Sequence, residues 1–300
     1  MWTRCSTDRA YLAHEYLAEH WDHFHFADLA ARLRDAGLSY VATAVLVENF
    51  ADHAVPQHFA PLVARFEDPV VRETLRDLIA NRRFRRDLFG RGDAALDGPE
   101  QRRLLSRFSF ALTVPRSRVS LTFRGPFGAI PVPAELYGPI VDLLAKHNAS
   151  FDQLAALPPF GQAGSAVLLA CLALLVDSGQ ILAFVPAAAD PRPAKRFNRM
   201  VAESVKKGRV YGHLASPVAG TGLPVNDFAL LALAAAFDDQ ADEPASAAQH
   251  ALATVKGLGR RPSRDGRPIQ DDAEALRFLA EHMTPVVEEQ IPLWRRLGVL

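Results

Sequence analysis

The apolar residues of this chain change their spacing along its length, and each change limits what a segment can become. In the first third they recur with a helical period. "FADLAARLRDAG" sets Phe26, Leu29 and Leu33 on one face and stops at Gly37. "PQHFAPLVARFEDPVVRETLRDLIANRRFRRDLFGRG" predicts two more helices. In the second, Val71, Leu75, Leu78 and Ile79 share a face, Glu73, Arg76 and Asp77 turn to water, and Gly90 and Gly92 end it. At "RFSFALTV" the period falls to 2: Phe108, Phe110, Leu112 and Val114 alternate with Ser109, Ala111 and Thr113. "PRSR" is a turn, and "VSLTF" alternates Val119, Leu121 and Phe123 with Ser120 and Thr122, so a hairpin with one buried face is expected. The Gly/Pro-rich "RGPFGAIPVP" is then a joint, dividing the chain into domains 1–125 and 126–300.

Helical spacing returns beyond the joint. "AELYGPIVDLLAKHN" is a helix, "SFDQLAAL" is a second with Ser150 as its cap, and "QAGSAVLLACLALLVDSG" is a third, apolar nearly all round. With "QILAFVP" as a strand, this is the element order of a winged helix. "VYGHLASPVAGTGLPV" reads as strand and turn, and "DDQADEPASA" as a loop before the final helices. The fold class expected is mainly α with a small β-hairpin or wing component (α+β): a helical module, a winged-helix-like module and C-terminal helices.

Charge and cysteine content exclude several functions. Lys plus Arg and Asp plus Glu number 34 each, so no global field holds nucleic acid or cations. Cys5 and Cys171 are too few and too distant for a disulfide framework, which suits a reducing compartment. The N-terminal "MWTRCSTDRAYLAHEY" lacks a signal-peptide core, and the apolar run Ala163–Val176 is too short to span a bilayer. A soluble, cytoplasmic protein is expected, with no membrane partner.

"HEYLAEHWDHFHF" concentrates histidines and carboxylates. A helical metal pair needs histidines one turn apart. His14 and His20 are six apart, roughly 240° around a helix, so they share no face. His23 and His25 flank Phe24 and suit a strand edge. The reading is a solvated helix end, and no metal ligand is assigned. The G-x-G triplets "GRG", "GTG" and "GLG" lack the strand-before, helix-after context of a dinucleotide or adenosyl loop, and no cofactor-binding residue is assigned. There is no G-x-S-x-G, Ser165 and Cys171 sit on an apolar helix, and no catalytic residue is assigned. The arginine run "NRRFRRDLFGRG" is a charged helix end paired with its own acids, a surface for an acidic partner or, last in order, a nucleic-acid contact. The third helix of the winged-helix-like segment has no basic residue to read bases, which favours protein contacts over DNA.

"YLAHEYLAEHW" through "FADLAARLRDAGLSYVATAVLVENF", with "DPVVRETLRDLIANRRFRRDLFGRG", resembles the methyltransferase regulatory domain of bacterial class I S-adenosylmethionine-dependent methyltransferases. "PVPAELYGPIVDLL", "GHLASPVAGTGLPV" and "LPVNDFALLAL" to "PLWRRLGVL" resemble the C-terminal winged-helix region of the same proteins, which include enzymes that methylate lysines on bacterial outer-membrane proteins. His14, Glu15, Tyr16 and Leu17 match the first helix of that pattern, and Arg82, Phe84, Arg85, Arg86, Asp87 and Phe89 match its second stretch. His20, His23 and His25 fall outside it.

The catalytic domain that precedes such a segment in the family is not expected in this chain. The resemblance therefore implies a non-catalytic, regulatory or substrate-positioning part of a methyltransferase system acting on protein. S-adenosylmethionine would be bound only by a class I methyltransferase domain met in cis or in trans. The expected partner interface is His14, Glu15, Tyr16, Arg82, Arg85 and Arg86. The alternatives are a winged-helix DNA-binding regulator and a metal-dependent enzyme built on His14 to His25.

Overall fold

The computed structural model describes residues 9–20, 22–92, 96–125, 127–187, 190–239 and 243–300. Cys5, Trp21 and Asp93 lie outside them. The fold is mainly helical with small antiparallel sheets, as the spacing predicts. The chain forms two compact units, Met1–Ala95 and Leu96–Leu300. That division falls upstream of the Gly/Pro joint at which the domains 1–125 and 126–300 were drawn, because the strand at residues 109–112 is built into the sheet of the second unit.

In the first unit a short helix α1 (Arg9–Glu15) precedes α2 (Phe26–Asp35), β1 (Ser39–Thr43), α3 (Pro69–Ala80) and β2 (Asp87–Gly90). Short helical turns fill residues 46–63. α2 buries Phe26 and Ala30, and Gly37, at φ +76, lets the chain turn out of it. α3 begins where the Asp68 carboxylate accepts from the Val70 N–H at 2.7 Å with Pro69 behind it, and ends at Asn81 in the left-handed region (φ 46). β1 and β2 pair antiparallel, with a bulge between Tyr40 and Ala42.

In the second unit α4 (Gly98–Leu105) leads into β3 (Ser109–Leu112), and β4 (Phe123–Gly125) pairs with β5 (Gly128–Ile130). There follow α5 (Ala134–Lys146), β6 (Ala149–Ser150), α6 (Phe151–Ala155), α7 (Pro158–Ala163), α8 (Ser165–Asp177) and β7 (Ile181–Phe184). Ser150 caps α6 as expected, in a reciprocal capping box with Gln153. The expected hairpin between residues 107–114 and 119–123 does not form. β3 instead lies between β6 and β7, antiparallel to both. Phe110, Ala111 and Leu112 are all buried, so both faces of the strand are dry and it needs a partner on each edge. A helical turn over Arg116–Arg118 carries the chain away, and the segment at Ser120 is held by a side chain: its N–H and C=O bond the Gln180 amide at 2.5 and 2.9 Å.

The remainder is α9 (Arg192–Ser204), the hairpin β8 (His213–Ser216) and β9 (Thr221–Pro224), α10 (Asp227–Phe237), α11 (Pro244–Gly257), the two-residue pair β10 (Ser263–Arg264) and β11 (Arg267–Pro268), α12 (Asp272–Pro285) and α13 (Ile291–Arg296). The C-terminal tail is fastened by two buried polar side chains. The Asn198 amide on α9 donates to the carbonyls of Ala215 (2.8 Å) and Val299 (2.9 Å) and accepts from the Ala215 N–H (2.7 Å). The Ser216 hydroxyl donates to the Leu297 carbonyl at 2.7 Å. Between them sits Gly298, at φ +72, where a Cβ would lie 2.7 Å from the Pro217 ring. Leu297 and Val299 are thereby fully buried.

Asn198→Ala leaves buried backbone groups of two distant segments without partners, a loss of about 3 kcal/mol from the second unit. A urea titration reads this as a lower midpoint with unchanged slope. An unchanged midpoint would mean that the tail is held by apolar packing alone.

Candidate functional site

The residues expected to form a partner interface fall into three environments. α1 ends at Glu15, short of the histidines beyond it, and apart from half-buried Leu12 its described residues from Tyr11 on are exposed. A helix this short that buries almost nothing has little to extend it. His14, Glu15 and Tyr16 are exposed, and the Tyr16 ring meets Tyr11 edge-on at 6.0 Å. His20, His23 and His25 follow in exposed, non-helical chain. Among the described residues no group of three or more His, Cys, Asp or Glu side chains is placed to hold a metal ion.

Arg85 is in the second environment, at the centre of the first unit. It leads into β2, under the face of α3 that carries Glu73 and Asp77. Its Nε donates to Asp87 Oδ2 at 2.7 Å, Nη1 to Asp77 Oδ1 at 2.5 Å, and Nη2 to Glu73 Oε2 at 2.8 Å and Asp87 Oδ1 at 3.0 Å. Its guanidinium plane lies 4.0 Å from the Phe26 ring centroid and 5.9 Å from that of Tyr40. The rings of Phe26, Tyr40 and Phe89 pack on one another with centroids 5.1 to 6.5 Å apart. Arg76 also grips Glu73, and Arg82 bridges Glu48 at 2.8 Å with Asp77 within 3.7 Å.

Electrostatics follow from this enclosure. Burial alone would push the Glu73 carboxyl up, but hydrogen bonds and charge from Arg85 and Arg76 outweigh it and hold it below its usual range. Asp77 goes the other way, since burial there exceeds the pull of Arg85 and Arg82. Burial, with Glu73 next to it, pushes the Tyr40 phenol up, so Tyr40 stays neutral. Arg85 is held firmly charged: its carboxylate partners overcome the cost of burial.

Two sequence expectations are thereby corrected. Arg82 and Arg85 are engaged inside the fold, and of the three proposed contact arginines only Arg86 is exposed. The face of α3 is also reversed: Glu73 is 4% exposed, whereas Leu78 is 67% exposed, Val71 is exposed too, and Leu75 and Ile79 are half-buried. Both faces of α3 satisfy a helical period. The arginine that follows selects the charged one, because Arg85 needs three carboxylates and Phe26 and Tyr40 supply the apolar floor. The clue in the sequence is acids at 73, 77 and 87 on either side of an arginine run. The third environment is the outside of this unit: Leu78 and Val71 on α3 are exposed, as are Phe84, at 86%, and its neighbours Arg83 and Arg86 in the following segment.

Arg85→Ala strands three carboxylates together and is expected to cost the first unit about 3–5 kcal/mol; Arg85→Lys does little better, because a point charge cannot serve the fork. The pH dependence follows from Glu73. Its depressed folded pKa means that its contribution is complete above the ordinary carboxylate pKa and is lost as pH falls through the lower folded value. Asp77, raised, has the opposite sign. Melting of the first unit, followed by tyrosine fluorescence, should shift down on acidification, and Glu73→Gln should flatten that slope. An acid slope identical in the variant would take Glu73 out of the account.

Residues 8–91 match the model of a family described as a predicted methyltransferase regulatory domain. A Synechocystis sp. protein, sll1526, is 28% identical over 299 residues, covering 97% of this chain and 57% of its own length. Two solved structures of PKMT2 from Rickettsia typhi share the fold. One superposes with TM-score 0.54 at 17% identity, over 99% of this chain and 63% of its own. The other, in complex with AdoHcy, superposes with TM-score 0.57 at 18% identity, over 98% and 62%. The chain thus spans roughly three fifths of the proteins it is similar to. The family match is confined to residues 8–91, a little over a quarter of the chain.

Proposed function

We propose that the chain is the regulatory and substrate-positioning part of an S-adenosylmethionine-dependent methyltransferase system that acts on protein. The regulatory-domain match over residues 8–91 carries this reading. A class I methyltransferase domain, in cis or in trans, supplies the cofactor and the chemistry. In this reading the cofactor is bound outside the described residues, and the strand pairing supports that. Every described strand pair is antiparallel, while an adenosyl loop follows a parallel strand and opens a helix. Of the G-x-G triplets, Gly220–Gly222 lies in the β8–β9 hairpin and Gly257–Gly259 at the end of α11.

The contact with the catalytic domain is assigned to the apolar outside of α3. The interface drawn from the sequence, His14, Glu15, Tyr16, Arg82, Arg85 and Arg86, is narrowed to its exposed members, with Leu78, Val71 and Phe84 added as apolar anchors. In the second unit α5, α6 and α8 with the β6–β3–β7 sheet are read as a winged-helix-like module serving protein contacts. α8, which would have to enter a DNA groove, buries Leu168, Cys171, Leu172 and Leu175, and this weighs against the DNA-binding alternative. No helix among the described residues is long and apolar enough to cross a membrane.

The deciding experiment titrates the purified chain with the class I methyltransferase domain of its host and follows complex formation by analytical ultracentrifugation. Saturable binding is expected, weakened about tenfold or more by Leu78→Asp with Phe84→Ser at unchanged melting temperature. Binding indifferent to both substitutions would move the interface elsewhere, and no binding would end the regulatory reading.

A further inference from the structure

The chain is neutral in sum, yet residues 192–209 hold seven Lys or Arg against the single acid Glu203. These residues form α9 and the turn after it. Two of the cations are neutralised nearby: Arg192 by Asp190 at 2.9 Å and Lys206 by Asp238 at 2.5 Å. Lys195, Arg196, Arg199, Lys207 and Arg209 form no salt bridge with a carboxylate among the described residues. Arg199 lies over the Phe237 ring, 5.1 Å from its centroid.

Apolar side chains interrupt this charge on the outside of the helix. Met200 is 68% exposed, Phe197 is 48% exposed, and Tyr211 in the following loop is similarly open. α9 turns Asn198, Val201 and Ala202 inward, where Asn198 fixes it to β8 and the tail. The exposed side is therefore a rigid ridge with a concavity on each flank, by the helical phase of the lining residues. One, of about 800 Å³, is lined by Lys195, Arg196, Arg199 and Phe237, with Asp190 and Asp239 at its side. The other, of about 610 Å³, is lined by Phe197, Met200, Tyr211, Lys207 and Arg209, with Glu203 its one carboxylate.

We infer that this face of α9 is a docking site for an acidic polypeptide segment that carries apolar side chains, its carboxylates meeting the free cations and its apolar groups entering the Phe197–Met200–Tyr211 concavity. Charge complementarity selects the sign of the occupant. The apolar groups select its class. A small inorganic anion would answer the cations and leave Phe197, Met200 and Tyr211 wet, and a bilayer is too flat to fill two concavities separated by a ridge. An extended chain with alternating carboxylate and apolar side chains matches both features. The inference rests on the second unit alone and is independent of the docking assigned to α3.

The test is fluorescence anisotropy of a fluorescein-labelled peptide of Asp and Glu with interspersed Leu, titrated with the full chain. Saturable binding that weakens with salt is expected, and about tenfold loss on Arg196→Glu with Arg199→Glu, on Phe197→Ser with Met200→Ser, and on replacing the peptide's Leu by Ser. All four positions are exposed, so melting temperatures should not move. Should a variant fail to fold, hydrogen exchange of the wild-type chain decides: peptide must protect residues 195–211. The inference is overturned by absent or unsaturable binding, by protection elsewhere, by indifference to these substitutions, or by equal affinity for duplex DNA or displacement by inorganic pyrophosphate.

Discussion

Arg85 is the group on which the first unit closes. Three carboxylates from α3 and β2 and two aromatic rings from α2 and β1 meet at one guanidinium. Few other side chains could accept all of them, since the fork needs in-plane acceptors and a stacked face together. The consequence reaches the surface. Because the charged side of α3 is needed inside, its apolar side is left outside, and the unit presents Leu78 and Phe84 where a solitary domain would present charge. The same residue thus sets the interior of the unit and the chemistry of its exterior.

Much of the helical framework was legible. Gly37 as a stop, Ser150 as a cap and the apolar α8 all follow from spacing and local chemistry. What spacing could not resolve was partnership. α3 has two faces of equal periodicity, and choosing between them requires knowing that Arg85 lies opposite. β3 alternates like half of a hairpin, but its partners at residues 149–150 and 181–184 are remote in sequence. Of the candidate interface, His14, Glu15, Tyr16 and Arg86 are exposed, whereas Arg82 and Arg85 are engaged in ion pairs inside the unit. Asn198 and Ser216 gave no signal, because their work consists of bonding backbone a long way off.

Net charge was a poor guide for a related reason. Equal totals of acid and base conceal different local arrangements: in the first unit Arg76, Arg82 and Arg85 are taken up by carboxylates at its centre, and along α9 several cations stand without one. A sum over the chain cannot distinguish an interior ion cluster from a basic ridge.

The bond from Asn198 to Val299 spans 101 residues of sequence. A loop of that length costs several kcal/mol of chain entropy to close, on the order of (3/2)RT ln n plus a constant, and its closure is rewarded only when both ends find prepared partners. α10, α11 and α12 all lie within that loop, so their packing must largely precede the docking of the tail. This contact should therefore form late, after the helices it encloses. A substitution at Asn198 would act chiefly on how long the closed state persists, by speeding its opening, since a contact made after the folding barrier leaves the rate of folding almost untouched.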